Sequence, residues 1–263
     1  MASRYSTDWA EEACNSPNPA VGFCEHAGEI TRRFDLITDE IESLRGELSG
    51  KVCVAMPDSA GHILFVPLIK LFRAEYPQVN LPVMSAYSAD IPHQLFIGNA
   101  HVGIVTHEQG LSGLTRVPFC SEELHLVGRK SLDVQSDKIT LSKVSALPLL
   151  LPALGDMRKI IDRAFADAHL IPNITMEVDS QDALLNLIQA GKGYSIMSYA
   201  GVHNYVQRAL VSAQKIIGPT IQRTVSVVVA NNRPRTLLIR QVKNELIGLI
   251  HQLHKTAKWR LDL

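Results

Sequence analysis

Four cysteines are all that this chain of 263 residues contains, and Cys14, Cys24, Cys53 and Cys120 show no C-x-x-C and no metal-ligand spacing. So few in so long a chain point to free thiols in a reducing compartment. Net charge is missing as well. Lys+Arg and Asp+Glu number 26 each, with a pI near 7.2. A chain that grips DNA unaided usually carries a basic excess or stripe, and this balance gives that no support. No apolar run reaches membrane-spanning length. The opening MASRYSTDWAEEAC lacks the apolar stretch of a secretion signal. The expectation is a cytoplasmic protein with no membrane partner. Also lacking are G-x-S-x-G, H-E-x-x-H, a P-loop and paired carboxylates, so no enzyme, cofactor or metal is expected. His251 and His254 stand at i, i+3 without a third ligand and read as a solvated helix face.

Apolar residues make up 46% and charged residues 20%, enough for a real core in one large domain or two modest ones. Residues 1–22 have no period and carry Asn15-Ser16-Pro17-Asn18-Pro19, so they read as irregular. Then Phe23, Ala27, Ile30, Phe34, Ile37, Ile41, Leu44 and Leu48 follow at steps of 4, 3, 4, 3, 4, 3 and 4. That is an a/d seam, narrower than the stripe of a core-facing helix, and it predicts a dimerisation helix over 23–50. Ser49-Gly50 ends it.

Beyond Lys51 strands and helices alternate, which predicts an α/β fold with mostly parallel sheets. Strands are expected at 51–56, 80–85, 101–106, 124–128, 148–152, 174–178, 194–198 and 224–230. Helices are expected at 59–74, interrupted or bent at Pro67, and at 91–97, 158–168, 183–190 and 236–253. The pattern runs twice, as VCVAMPDS…LPVMSAYS…FIGNAHVGIVTH and LPLLLPALG…ITMEVDSQ…IQAGKGYSIMS. Two similar lobes leave a cleft at the carboxyl ends of their strands, where ligands of open α/β sheets bind. The Pro57-Asp58-Ser59 junction between a strand and a helix suits a small anion, through N–H groups and the helix dipole.

PDSAGHILFVPLIKLFRAEYPQVNL, with its F-x-x-x-Y-P-x-V exit, resembles the first strand and helix of LysR-type transcriptional regulators, closest to the nitrogen-assimilation-control type. FIGNAHVGIV resembles that family's G-x-x-D-h-G-h strand, and FCSEELHLVG its crossover into a second lobe. EVDSQDALLNLIQAGKGYSIMS resembles its later helix and Gly-x-Gly turn, and FCEHAGEITRRFDLITDEIESL its linker helix. The likeness covers roughly residues 18 to 263. His101 stands where the family usually has Asp, and Ser198 where it usually has Pro.

The resemblance implies a two-lobed, periplasmic-binding-protein-like (type II) fold behind a linker helix. Residues 51–123 plus 224–263 would form one lobe and 124–223 the other. It also implies a homodimer or tetramer and a small-molecule effector in the cleft. Matching effector positions are Ser59, Ala60, Ser88 and Thr106 in the first lobe, and Pro152, Ala153 and Ser180 in the second. No Arg falls on a matching position, and Asp58 and Asp90 are the carboxylates nearest to them. His107 is expected at the cleft mouth, and His101 as a structural residue within its strand. The family's winged helix-turn-helix has no counterpart in residues 1–22, although 18–24 are similar to the tail of a wing. DNA is therefore a partner only if such a domain is supplied. The alternatives are a cytosolic dehydratase or deaminase, or a solute-binding protein, on the same fold.

Overall fold

The computed structural model describes residues 48–107, 110–129, 137–233 and 236–256, together with residues 37, 259, 261 and 262. The expected irregular segment 1–22 and the seam positions Phe23, Ala27, Ile30, Phe34, Ile41 and Leu44 lie outside the described residues. Ile37 is helical and exposed. Leu48, the last seam position, packs half-buried against a core of the domain.

Residues 47–263 form one compact unit. Its elements run β1 (Gly50–Lys51), β2 (Val54–Met56), α1 (Asp58–Glu75), β3 (Val79–Asn80), β4 (Val83–Ser85), α2 (Ile91–Ile97) and β5 (Val102–Val105). Then come β6 (Leu114–Arg129), β7 (Lys138–Thr140), α3 (Leu141–Ser145), β8 (Leu149–Leu151), α4 (Asp156–Asp167), β9 (Ile174–Glu177) and α5 (Gln181–Gln189). The chain ends with β10 (Ser195–Ser198), α6 (Tyr199–Gln207), β11 (Val211–Ile217), β12 (Gln222–Ala230), α7 (Leu237–Lys255) and β13 (Leu261–Asp262).

Strand order in the main sheet is β4-β2-β5-β12-β6-β11-β7, with β10 and β13 also on β6. Pairing is parallel among β4, β2 and β5 and again between β11 and β7. It is antiparallel where β12, β6 and β11 join the two halves. Strand β6 belongs to both halves. Residues from Leu114 to Glu123 pair with β12, and Leu124 to Arg129 pair with β10 and β11.

The period of two explains why each half has helices on both faces. In β2, Val54 and Met56 face α1 and α7 with Leu64, Leu68, Val225, Val227, Val242, Leu246 and Ile250. The flanking Cys53 and Ala55 point the other way, under Ile91 and Leu95 of α2. In the second half, Leu124 and Leu126 pack on Ile161, Phe165, Ile196 and Ile216. Val127 turns to Leu184, Leu185 and Ile188 of α5.

Helix α1 runs through Pro67 to Glu75. Losing one backbone hydrogen bond there is offset by burial of Leu64, Leu68 and Phe72 on one face. Ser180, Ser198 and Thr236 cap α5, α6 and α7, each accepting a backbone N–H three residues on. Gly98 ends α2 at φ 82°, a conformation that suits glycine.

Several elements exceed the sequence expectation, among them β7, α3 and β13, which had no expected counterpart. β6 is 16 residues long rather than five, and α6 and β11 had no expected counterpart. Glu122-Glu123 look like a break in a strand, yet Glu122 is wholly buried. Among the described residues no helix is long and apolar enough to cross a membrane.

Gly103 in β5 sets how closely α2 can approach the sheet. A Cβ there would lie 2.6 Å from Ile91 Cγ2 and 3.1 Å from Val228 Cγ2. Gly103→Ala is expected to destabilise the fold by about 1–3 kcal/mol through overpacking, read as a lower urea midpoint. An unchanged midpoint would show that α2 yields without cost.

Candidate functional site

The predicted positions fall into three neighbouring groups. The first centres on Ser59, in the first turn of α1. Pro57, in extended conformation, precedes this helix, and no side chain caps it. The Ala60 N–H is already taken by the Pro57 carbonyl at 2.9 Å, so it is not a ready donor to an anion. Ser59 Oγ accepts a hydrogen bond from Arg223 Nη2 at 3.1 Å. Sequence reasoning found no arginine for this site, because Arg223 comes from β12, far along the chain.

Arg223 is tied down. Its Nε and Nη2 each lie 2.7 Å from Glu122 Oε2. Glu122 Oε1 accepts the Trp259 indole N–H at 2.9 Å. Side-chain exposure is 4% for Arg223 and 0% for Glu122. The two residues are register partners on β12 and β6. Cys120, two residues before Glu122, has its thiol pushed up to about 12, by burial first and by the Glu122 charge second, with Arg223 opposing. Burial also raises Cys53. Both thiols stay protonated near neutrality and act as core groups rather than redox sensors.

The second group joins Ser88 and Thr106. Ser88 Oγ accepts the Thr106 N–H at 2.8 Å and lies 2.7 Å from His107 Nδ1. His107 Nδ1 is also 3.2 Å from Asp156 Oδ2, at the start of α4 in the other half. Ser88 is thus a buried pin, and His107 is the group presented across the gap. A Ser, a His and an Asp meet here, but both oxygens address the same ring nitrogen. No proton can pass through the imidazole from one to the other, so this is not a nucleophile-activating triad.

The third group lies in the second half. The Pro152 carbonyl accepts from Arg158 Nη1 at 2.9 Å, and the Ala153 N–H donates to Asp179 Oδ1 at 2.9 Å. Arg158 also meets Glu177 and Asp162. Ser180 Oγ accepts from the Ala183 N–H as the cap of α5.

More contacts tie the halves together. The Asn204 amide donates to the His62 carbonyl at 3.1 Å. His62 Nε2 is 3.9 Å from Asp182 Oδ1, and its ring meets Tyr205 edge-on. A Cβ at Gly201 of α6 would lie 3.3 Å from Ser59 Cβ. Beside these contacts Asp58, His62, Phe65, Ser180, Gln181 and Asp182 line a cavity of about 250 Å³. Ser180 alone of the predicted positions lines it. Asp58 also accepts from the Ser85 hydroxyl. No group of three or more His, Cys, Asp or Glu among the described residues is arranged to hold a metal.

Residues 45–248 match the model of the LysR substrate binding domain. The chain belongs to this family. A probable RuBisCO transcriptional regulator of Cyanophora paradoxa is 26% identical over 222 residues, covering 80% of this chain and 67% of that relative. The nitrogen assimilation regulatory protein nac of Klebsiella aerogenes is 22% identical over 227 residues, covering 86% and 74%. The Synechocystis PCC6803 CcmR regulatory domain, solved in complex with 2-PG, shares the fold. Its TM-score is 0.67 at 18% identity, covering 76% of this chain and 97% of that domain. The fold is the type II periplasmic-binding-protein-like α/β fold, and the chain is an effector-sensing part of a transcriptional regulator, not an enzyme.

Removing one partner of the Glu122–Arg223 pair leaves a buried charge alone. Arg223→Met is expected to cost about 3–5 kcal/mol in urea unfolding, and Glu122→Gln combined with Arg223→Met to recover most of it. Equal losses in the single and double variants would show that the pair, rather than the stranded charge, carries the stability.

Proposed function

We propose that residues 51–123 with 224–263 and residues 124–223 act as two lobes that change their angle when a small metabolite enters the crevice between them. The observation that carries this reading is the His107–Asp156 approach, a polar contact between the end of β5 and the start of α4. Such a contact can be remade by a ligand at low cost, and a ligand shifts the lobes only by favouring one arrangement over another.

The occupant is a small anion, rimmed by Ser59, Ala60, Ser88, Thr106, Pro152, Ala153 and Ser180. The complex of the CcmR domain with 2-PG supports a small-molecule occupant. The helix over 23–50 pairs subunits into a homodimer or tetramer, and the protein works in the cytoplasm. DNA is read when a helix-turn-helix is joined to this sensor, and lobe rotation then resets the spacing of the DNA-reading helices.

A screen of small carboxylates and phosphates by thermal unfolding tests the sensor. A ligand at a hundred times its Kd is expected to stabilise by about 2.7 kcal/mol. Thr106→Val and Ala153→Asp are each expected to weaken it roughly tenfold. Affinity untouched by both substitutions would put the ligand elsewhere. Sedimentation tests the helix: polar residues at Ile30, Ile37 and Ile41 are expected to lower the assembly mass, and an unchanged mass would sink the pairing role.

A further inference from the structure

Arginine carries five N–H donors and no acceptor, so its bond to a serine hydroxyl has one direction. Ser59 Oγ therefore accepts from Arg223 Nη2. Among the described residues no protein acceptor takes the Ser59 hydroxyl hydrogen. Arg223 cannot swing away to reverse this. Two of its nitrogens are held by Glu122 Oε2, whose other oxygen is held by Trp259 Nε1. A guanidinium behind the hydroxyl also polarises it and makes it a stronger donor.

We infer that Arg223 is a specificity-determining residue: by fixing Ser59 as a hydrogen-bond donor, it restricts this end of the crevice to ligands that present an acceptor oxygen. A carboxylate, phosphate or carbonyl meets that condition. An alkylammonium group, which has only donors, does not. The inference rests on the crevice being the effector site, and it deepens that reading by giving the ligand's chemistry at one end. It also makes Trp259 a reporter, because Ser59, Arg223, Glu122 and Trp259 form one line of hydrogen bonds.

The test uses the full chain with Trp9→Phe, which leaves Trp259 as the sole tryptophan. Inorganic phosphate and glycolate serve as acceptor probes and methylammonium as the donor-only probe. Binding is followed by Trp259 emission and by calorimetry. Phosphate or glycolate is expected to change the emission saturably, and methylammonium to have no effect. Ser59→Ala is expected to weaken the acceptor probes roughly tenfold or more.

Arg223→Met alone risks misfolding, so Glu122→Gln with Arg223→Met serves as the folded counterpart. It is expected to reduce the preference for acceptor probes over methylammonium, a ratio that a merely structural pair would leave unchanged. Methylammonium binding as well as the anions overturns the inference. If the anions bind, Thr106→Val weakens them and Ser59→Ala does not, the effector reading stands and this inference falls. If no probe binds, this inference falls, and the effector reading is decided by the wider screen of carboxylates and phosphates.

Discussion

Glu122 and Arg223 face each other where β6 and β12, the strands that pass between the halves, run side by side. Desolvating two charges is expensive, and their attraction repays it only when geometry and further hydrogen bonds are good. Here Nε and Nη2 of Arg223 meet one carboxylate oxygen, and an indole N–H meets the other. A lysine offers a single point charge and cannot hold Glu122 and Ser59 with a planar fork. The pair thus fixes the register of the two connecting strands and the hydroxyl at the head of α1 together. It also anchors Trp259, 1% exposed, against the strand that both halves share.

Beyond this pair the halves also meet through α1 and α6, with Ala200 buried in the same core as Ala60 and Leu64. There, Gly201 packs so closely on Ser59 that a methyl group would press on Ser59 Cβ and the Gln181 amide. Polar contacts between the halves add to this packing: Asn204 to the His62 carbonyl, His62 to Asp182, and His107 to Asp156. Of these, the His62–Asp182 contact, with Asp182 75% exposed, contributes little, whereas His107 and Asp156 are mostly buried. The proposed lobe motion would turn about the Glu122–Arg223 pair and remake the His107–Asp156 contact.

Much of the fold was legible because each half repeats one device. A strand with two apolar faces leads to an amphipathic helix, and Val54, Met56 and Leu64 advertise it locally. The crossover was legible only in part. Its charged residues, Glu122 and Arg223, look like loop residues until their partner from the other strand is known. Helix α6 escaped notice because its nine residues include Gly201 and follow directly on β10 without a turn signal. The candidate positions were legible as strand ends and helix starts. What was not legible is which hydroxyls are already engaged. Ser180 is a cap, Ser88 is a pin for Thr106 and His107, and Ser59 answers to an arginine far along the chain.

The two departures from the family's usual residues fit this division between scaffold and site. His101 precedes β5 and accepts the Cys53 N–H through Nδ1 at 3.0 Å, while the Cys53 carbonyl takes the His101 N–H. Its imidazole ties the strand edge beside β2, a task that any short acceptor at this position performs. Ser198 caps α6 by accepting the Gly201 N–H, and so places Gly201 against Ser59. Proline has no side-chain acceptor to do this, so at this position the serine strengthens the helix start that closes on Ser59. Both residues act on how the backbone is held, His101 at the edge of β2 and Ser198 at the start of α6.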